Sequence, residues 1–321
     1  MTGNYQLALD TILQKGVKGI PSWLLNPMEH SIIDRLAEVE PGTYVKASIK
    51  TYLSMQKNIG TCMLDQWIPE NPLSMGSHGY ETEEKSATTG AEHIVLDGIE
   101  IDSPEAVAQH LESVVFPNLK KAAEEFDEDA RTKEIIDGEK KEQELFGPDI
   151  LKVPYGCARF PEFAYYKYGY VNYFMAYSLY QDIIEKHFSL QADLGVKNNR
   201  ALLKAYRTGA LPPLNRLDHD MADSRGTLVD IKSLDKIWFP HFARSLEPLL
   251  KSEVKLIWHC DGNLMDMVPR LLEVGLKGFQ GFQYEDGMDY EKICRMKSKD
   301  GNELIIIGGV SVTRTLPFGT P

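Results

Sequence analysis

The sequence predicts an α/β protein built as a TIM (β/α)₈ barrel that lacks its C-terminal strand and helix. Apolar segments of strand length alternate with segments of helical periodicity along most of the chain, which is typical of parallel βα units. Seven segments have strand character and are each followed by helical sequence; they centre near Ile20, Met63, Ile150, Leu214, Leu256, Phe279 and Ile306. Seven parallel strands are one fewer than a closed barrel of this type requires.

The last residues, TLPFGTP, add to this prediction. Thr320 suits an N-cap and Pro321 suits the first helical position, so a helix should begin where the chain stops. We therefore expect a shortened chain whose final helix, eighth strand and closing helix are missing. The predicted organisation is one barrel domain over residues 1–321, with a segment inserted at about 70–148.

In the first half, GIPSWLL is predicted as a strand, YVKASIKTYLSMQKNIG as a helix capped by Gly60, and TCMLDQWIP as a strand that ends near Asp65. Within the predicted insertion, Asp97-Gly98 in AEHIVLDGIEID indicates a tight hairpin turn. The acidic, lysine-rich run that follows is predicted as a solvated helix.

The second half alternates more regularly. Strands are predicted in LPPLNRLDHDM, VKLIWHCDG, GFQGFQ and ELIIIGGVSV, with helices at 233–251, in NLMDMVPRLLEVG and in DYEKICRMKSKDG. Gly275 is suited to close the second of these helices, and Pro269 either kinks that helix or marks a late start.

Composition narrows the class of protein. The 321 residues are 43% hydrophobic with a net charge of -12, which argues against a nucleic-acid partner or an anionic membrane surface. Because no segment resembles a membrane span or a signal peptide, we expect a cytoplasmic protein with no membrane partner. The four cysteines form no CxxC pair, so they are predicted to be reduced thiols.

Candidate site residues follow the predicted strands, because active sites of parallel barrels lie at the C-terminal strand ends. Side chains alternate along a strand, so His259 and Asp261 should share one face, with Cys260 on the other. This pair could bind zinc or iron, or the histidine could be held by the carboxylate without a metal.

Other side chains are expected at the same end of the barrel. Asp218 and Asp220 should share a face, with His219 opposed, and either bind substrate or cap the loop. Asp65, Gln283 and Tyr284 would be their neighbours. The aromatic segment FAYYKYGYVNYFMAYSLY could stack on a flat cofactor, although rings at helical spacing favour a core role.

Four segments together resemble the uroporphyrinogen decarboxylase superfamily. VKLIWHCDGNLMDMVPRLLEVGLKGFQ is similar to its strand ending on a His-x-Cys-Gly-Asn motif, and DGMDY to its Gly-Met-Asp step. IIGGVSV with LPFGTP resembles its Gly-Gly-Ile-Asp strand and Gly-Thr-Pro helix start, and RLDHDMADSRGTLVD resembles its Asp-Asp stretch. The resemblance implies a barrel of the uroporphyrinogen decarboxylase type and is clear over about the last third of the chain.

Departures from the family pattern favour its cobalamin-dependent methyltransferase branch. The decarboxylases hold a substrate rich in carboxylates with arginines after the first strand, whereas this chain has LLNPMEHSIIDR there and no arginine before Arg35. The methyltransferases that activate thiols bind zinc through a His-x-Cys pair; here Asp261 replaces that cysteine, and Ser311 replaces the aspartate of the Gly-Gly-Ile-Asp pattern.

The resulting hypothesis is an enzyme that transfers a methyl group between a corrinoid protein and a small acceptor, a thiol or tetrahydrofolate. His259, Asp261 and Asp65 would be catalytic, His259 and Asp261 would bind any zinc, and Asp218, Asp220, Gln283 and Tyr284 would bind substrate. The alternatives are a decarboxylase of a small or tetrapyrrole carboxylic acid, with Asp65 or Asp218 as the acid, and a binding module without catalysis. A homodimer is left open.

Overall fold

The computed structural model describes residues 3–25, 27–70, 75–76, 79–80, 87–88, 91, 93–281, 284, 287–308, 311 and 314–320. The helices are α1 Asn4–Ile12, α2 His30–Leu36, α3 Thr43–Lys46, α4 Ser48–Asn58, α5 Pro104–His110, α6 Phe116–Glu124, α7 Glu128–Phe146, α8 Tyr165–Tyr168, α9 Tyr170–Leu179, α10 Gln181–Gly209, α11 Ile231–Ile237, α12 Phe239–Leu250, α13 Val268–Val274, α14 Tyr290–Arg295 and α15 Thr315–Phe318. A π-helical turn, Leu111–Val115, joins α5 to α6.

The strands are β1 Met63–Leu64, β2 Met75–Gly76, β3 Gly79–Tyr80, β4 Val95–Leu96, β5 Ile99–Glu100, β6 Leu151–Lys152, β7 Leu214–Asp218, β8 Ala222–Asp223, β9 Gly226–Thr227, β10 Lys255–Cys260, β11 Gly278–Gly281 and β12 Ile305–Gly308. The chain divides into two compact units. The first comprises Met1–Glu83, Lys133–Tyr155 and Ala205–Asn215, and the second comprises Glu84–Thr132, Gly156–Lys204 and Arg216–Pro321.

The first unit contains the parallel pair of β1 and β6, in which Met63 is the register partner of Leu151. The rings of Tyr52, Trp67 and Phe146 meet edge to face beside this pair. Lys152 is buried and donates to Glu139 at 2.7 Å, so the charge taken out of water has a close partner.

The second unit contains a sheet in the order β12-β11-β10-β7, to which β7 contributes its last residues. β10, β11 and β12 run parallel, with His259 opposite Gln280 and Gln280 opposite Ile307. A cluster of buried rings, Trp238, Phe242 and Trp258, packs beside β10 and anchors the strand in the core.

The α/β class and six of the seven predicted strand positions are confirmed. The strand predicted near Ile20 is wrong: the chain there is irregular, Ile20 is 92% exposed, and Pro21 has no N–H to donate. The segment still contacts neighbouring backbone, because the carbonyl of Ser22 accepts a hydrogen bond from the N–H of Cys62 at 3.0 Å. No sheet in the described residues closes on itself, so closure into a barrel stays a prediction.

The helices largely follow the predictions. The segment 233–251 is interrupted at Trp238, where α11 ends and α12 begins, because Pro240 in the first turn of α12 has no N–H with which to continue the ladder of α11. Pro269 lies in the first turn of α13, so the late start is the correct interpretation, and Gly275 closes that helix at φ 122°. Five rings of the aromatic segment are buried as core residues: Phe163, Tyr165, Tyr168, Tyr173 and Tyr177.

The turn predicted in the insertion is present. β4 and β5 pair antiparallel around Asp97 and Gly98, which both have positive φ, 51° and 81°. Two successive positive φ angles are the mark of the hairpin turns whose twist matches that of paired strands.

Candidate functional site

The C-terminal ends of β7 and β10 bring three of the predicted side chains together. Ligand atoms of Asp218, Asp220 and His259 all lie within 4.8 Å of one another. Nε2 of His259 is 3.8 Å from Oδ1 of Asp218, and the two strand ends are joined by a hydrogen bond from the N–H of His219 to the carbonyl of His259. We call Asp218, Asp220 and His259 the strand-end cluster.

Each carboxylate of the cluster is held by a neighbour. Arg216, which shares a face of β7 with Asp218, is buried and donates to Oδ2 of Asp218 at 2.7 Å. Oδ1 of Asp220 accepts from the backbone N–H of Asp261 at 3.1 Å, and the carbonyl of Asp220 accepts from the hydroxyl of Tyr165. Burial raises the pKa of Tyr165, so this hydroxyl stays a neutral donor.

His219 and Cys260 are sequence neighbours of the cluster residues and point to the opposite face, as strand alternation predicts. Nε2 of His219 accepts from the N–H of Phe163 at 2.8 Å, and burial lowers its pKa to about 4. Sγ of Cys260 accepts from the N–H of Met221 at 3.2 Å, and burial raises its pKa to about 12. A neutral imidazole and a protonated thiol in these positions serve packing rather than nucleophilic chemistry.

Gln280 is a polar residue next to His259 on the neighbouring strand. Nδ1 of His259 is buried and makes no hydrogen bond to any described residue, and the same holds for Oε1 of Gln280. Gln280 is the register partner of His259 on β11, so the two side chains lie on the same face of the sheet. Both unpartnered polar atoms therefore belong to side chains on one face of neighbouring strands.

The donor set fits a divalent metal ion. Zinc binds imidazole nitrogen and carboxylate oxygen at about 2.0–2.2 Å, which places two tetrahedral ligand atoms on the order of 3.4 Å apart. The 3.8 Å between Nε2 of His259 and Oδ1 of Asp218 is close to that spacing. A histidine ligand also needs an acceptor for its other ring nitrogen, and Gln280, the register partner of His259, carries a buried Oε1 without a hydrogen-bond partner among the described residues.

Among the described residues, the other predicted site residues do not belong to the strand-end cluster. Asp261 is exposed, and among the described residues its carboxylate does not belong to the cluster with His259. Asp65 belongs to the first unit, where its Oδ1 accepts from Trp23 Nε1 at 3.0 Å and from the N–H of Gln66. Tyr284 is 64% exposed beside Arg314 and Phe318, and Gln283 lies outside the described residues.

Two residues of the site were missed by sequence reasoning. Arg216 carried a signal, because a basic side chain two positions before Asp218 on a strand shares its face. Gln280 carried none, because its place opposite His259 depends on the register of β11 against β10.

Among the described residues, no helix is both long enough and apolar enough to cross a bilayer.

Comparisons with known proteins add little. No protein-family model matches the chain, and no curated protein matches it. Among solved structures, a methyltransferase from Methanosarcina mazei is similar at a TM-score of 0.47 and 11% identity, covering 87% of this chain and 76% of that chain. At this identity and TM-score the similarity carries no inference about activity.

Proposed function

We propose that this protein is a methyltransferase that moves a methyl group between a corrinoid protein and a small acceptor, a thiol or tetrahydrofolate. The observation that carries the proposal is the strand-end cluster, because Asp218, Asp220 and His259 converge at the C-terminal ends of β7 and β10. Ligand and reaction sites of α/β proteins gather at such strand ends. The resemblance of the segments around these residues to the corrinoid-linked methyltransferases gives the reaction class.

In this proposal the cluster prepares the acceptor. The acceptor atom must lose or lack a proton before it takes the methyl group, and Nε2 of His259 can accept that proton next to Asp218. Arg216 fixes Asp218, so the histidine faces a carboxylate of defined orientation. With zinc held by Asp218, Asp220 and His259 instead, Nε2 would be a metal ligand and not the base, and the Lewis acidity of the metal would favour the deprotonated acceptor. The rigid strand ends keep the geometry that in-line transfer requires.

The proposal extends to the fold. The fold would be an incomplete barrel of the uroporphyrinogen decarboxylase type, with Asp65 as a further catalytic residue. Distances between Asp65 and His259 measured by paired spin labels at neighbouring positions would test this part separately.

The experiment measures methyl transfer directly. The protein is incubated with methylcobalamin and either a thiol or tetrahydrofolate, and the Co(I) corrinoid left after the methyl group has gone is followed by absorbance. Asp220→Asn should lower the rate at least about tenfold, because an amide is a poorer metal ligand and carries no charge. The matched variant Asp261→Asn should retain activity, since that carboxylate lies outside the cluster.

Failure to form Co(I) with every acceptor would contradict the proposal. Equal losses of the methyl-transfer rate in both variants would instead support the pairing of His259 with Asp261 that the sequence predicted. Release of carbon dioxide from uroporphyrinogen would favour the decarboxylase alternative, but two adjacent carboxylates, Asp218 and Asp220, repel a substrate rich in carboxylates.

A further inference from the structure

A second site is built into the second unit, apart from the residues of the strand-end cluster. A cavity of about 200 Å³ lies between the segment at 159–168 and helix α10. Its polar lining comes from Arg159, Glu162, Lys167, His187 and Gln191. Apolar side chains complete the wall, among them Leu119, Phe160 and Leu194.

Two amide side chains on α10 fix the backbone of this segment. Gln191 accepts from the N–H of Glu162 at 2.9 Å and donates to the carbonyl of the same residue at 3.1 Å. Asn199 does the same for Arg159, accepting from its N–H at 3.0 Å and donating to its carbonyl at 2.7 Å. A wall held in this way is ordered before a ligand arrives, so binding costs little conformational entropy.

The charges of the cavity favour an anion. Arg159 and Lys167 are exposed cations that attract the carboxylate of Glu162, and Nζ of Lys167 lies 5.9 Å from the centre of the Tyr166 ring. Glu162 is the acidic residue of the lining, and burial, opposed by Arg159, raises its pKa. His187 is neutral at pH 7, because burial and then Lys167 lower its pKa to about 4.

With Glu162 ionised, two cations therefore face one carboxylate, and a single negative charge is needed for balance. A carboxylate accepts two charge-assisted hydrogen bonds from cations of this kind. The volume is below the roughly 300–1,000 Å³ typical of sites for drug-sized molecules. The apolar part of the wall is suited to a compact hydrocarbon body.

We propose that this cavity binds a small organic monocarboxylate, with its carboxylate between Arg159 and Lys167 and its apolar body against Leu119, Phe160 and Leu194. The cavity shares no lining residue with the strand-end cluster, although Asp218 is near enough to help raise the pKa of Glu162, so the two proposals are tested by different variants. Inorganic phosphate shares the negative charge but offers nothing to the apolar wall, so it should bind more weakly than an aromatic carboxylate.

Calorimetric titration of the whole protein tests the proposal, with benzoate as probe and benzyl alcohol as its neutral counterpart. Benzoate should bind saturably, and benzyl alcohol and inorganic phosphate at least about tenfold more weakly. Arg159→Ala should weaken benzoate binding at least about tenfold, whereas Glu162→Gln should strengthen it by removing the opposing charge. Opposite effects from two neighbouring substitutions cannot both come from misfolding, and thermal unfolding of each variant checks this.

His259→Ala is the control that separates the two proposals, and benzoate binding should be unchanged in it. Loss of binding in His259→Ala with retention in Arg159→Ala would move the ligand to the strand-end cluster and overturn the assignment. Absence of saturable benzoate binding, equal binding of benzyl alcohol, or tighter binding of phosphate would overturn it as well. Absence of methyl transfer bears only on the function proposed for the cluster.

Discussion

His259 presents two nitrogen atoms with different surroundings. Nε2 faces Asp218 at 3.8 Å, whereas Nδ1 is buried without a hydrogen-bond partner among the described residues. An imidazole that binds a metal through one nitrogen donates from the other, and the partner of that N–H orients the ring. We therefore expect Gln280, the register partner of His259 on β11, to orient the imidazole ring.

We expect Gln280→Leu to lower the affinity for zinc by about 10- to 100-fold, because the orienting acceptor is lost. The free energy of unfolding should stay the same or rise by about 1 kcal/mol, since a buried carbonyl without a partner is removed. Competition with a chromogenic chelator gives the affinity, and urea unfolding gives the stability. An unchanged zinc affinity would show that Gln280 does not position the histidine.

The His-x-Asp pattern paired His259 with Asp261, whereas the cluster of possible ligand atoms in the structure joins His259 to Asp218 and Asp220. Alternation along β10 would keep Asp261 on the same face, yet β10 ends at Cys260 and Gly262 adopts φ 88°. The chain therefore leaves the sheet at Asp261, and the carboxylates of β7 take the place next to the imidazole. A strand rule applies only as far as the strand continues.

At the scale of elements, the turn after β10 depends on a close approach of two backbones. A Cβ at Gly262 would lie 2.7 Å from the carbonyl oxygen of Asp223, and the N–H of Asn263 donates to the same oxygen. Glycine alone tolerates both the positive φ and this distance. The loop that carries Asp220 is thus fastened to the end of the strand that carries His259.

We expect Gly262→Ala to cost at least about 2 kcal/mol in the free energy of unfolding, because backbone strain adds to a contact that neither segment can relieve. Urea unfolding checks this. Gly138→Ala is the control: its Cβ meets nothing within 4 Å and it lies inside α7, so alanine should stabilise by up to about 1 kcal/mol. A loss below about 0.5 kcal/mol for Gly262→Ala would refute the constraint.

Element positions were predictable where local chemistry decides them. The strands β7, β10, β11 and β12 coincide with apolar runs, and the hairpin turns at Asp97-Gly98. Helix α13 has its proline in the first turn. The failure near Ile20 has a local cause that the apolar pattern overlooked, since Pro21 has no N–H to donate to a neighbouring strand. The break at Trp238 likewise had a local signal, because Pro240 suits the first turn of a new helix and cannot continue the preceding one.

At the scale of the whole molecule, two buried histidines make stability depend on pH. Burial lowers the pKa of His187 and of His219 to about 4, whereas an unfolded histidine titrates near 6.5. Between these values the unfolded chain binds more protons than the native one, so acid favours unfolding. Stability is complete above about pH 6.5 and is lost as the pH falls toward 4.

We expect the free energy of unfolding to fall by about 2 kcal/mol for each histidine between pH 7 and pH 5. Urea titrations at the two pH values measure the loss, and His219→Gln should reduce it by about half. An equal loss in the variant would mean that His219 does not carry the penalty. Because Nε2 of His219 accepts from the N–H of Phe163, its protonation would also break a contact beside the strand-end cluster.

The sequence by itself determined the α/β class, most strand positions, the hairpin turn and the two strand ends that carry His259 and the paired aspartates. These depend on periodicity, propensity and turn chemistry, which act over a few residues. Only the tertiary structure decided that Asp218 and Asp220, rather than Asp261, form a cluster with His259, and that Gln280 is its register partner on β11. It alone also brought Arg159 and Lys167 to one cavity with α10. The physical reason is that strand register and helix packing are set by long-range burial, on which no local pattern reports.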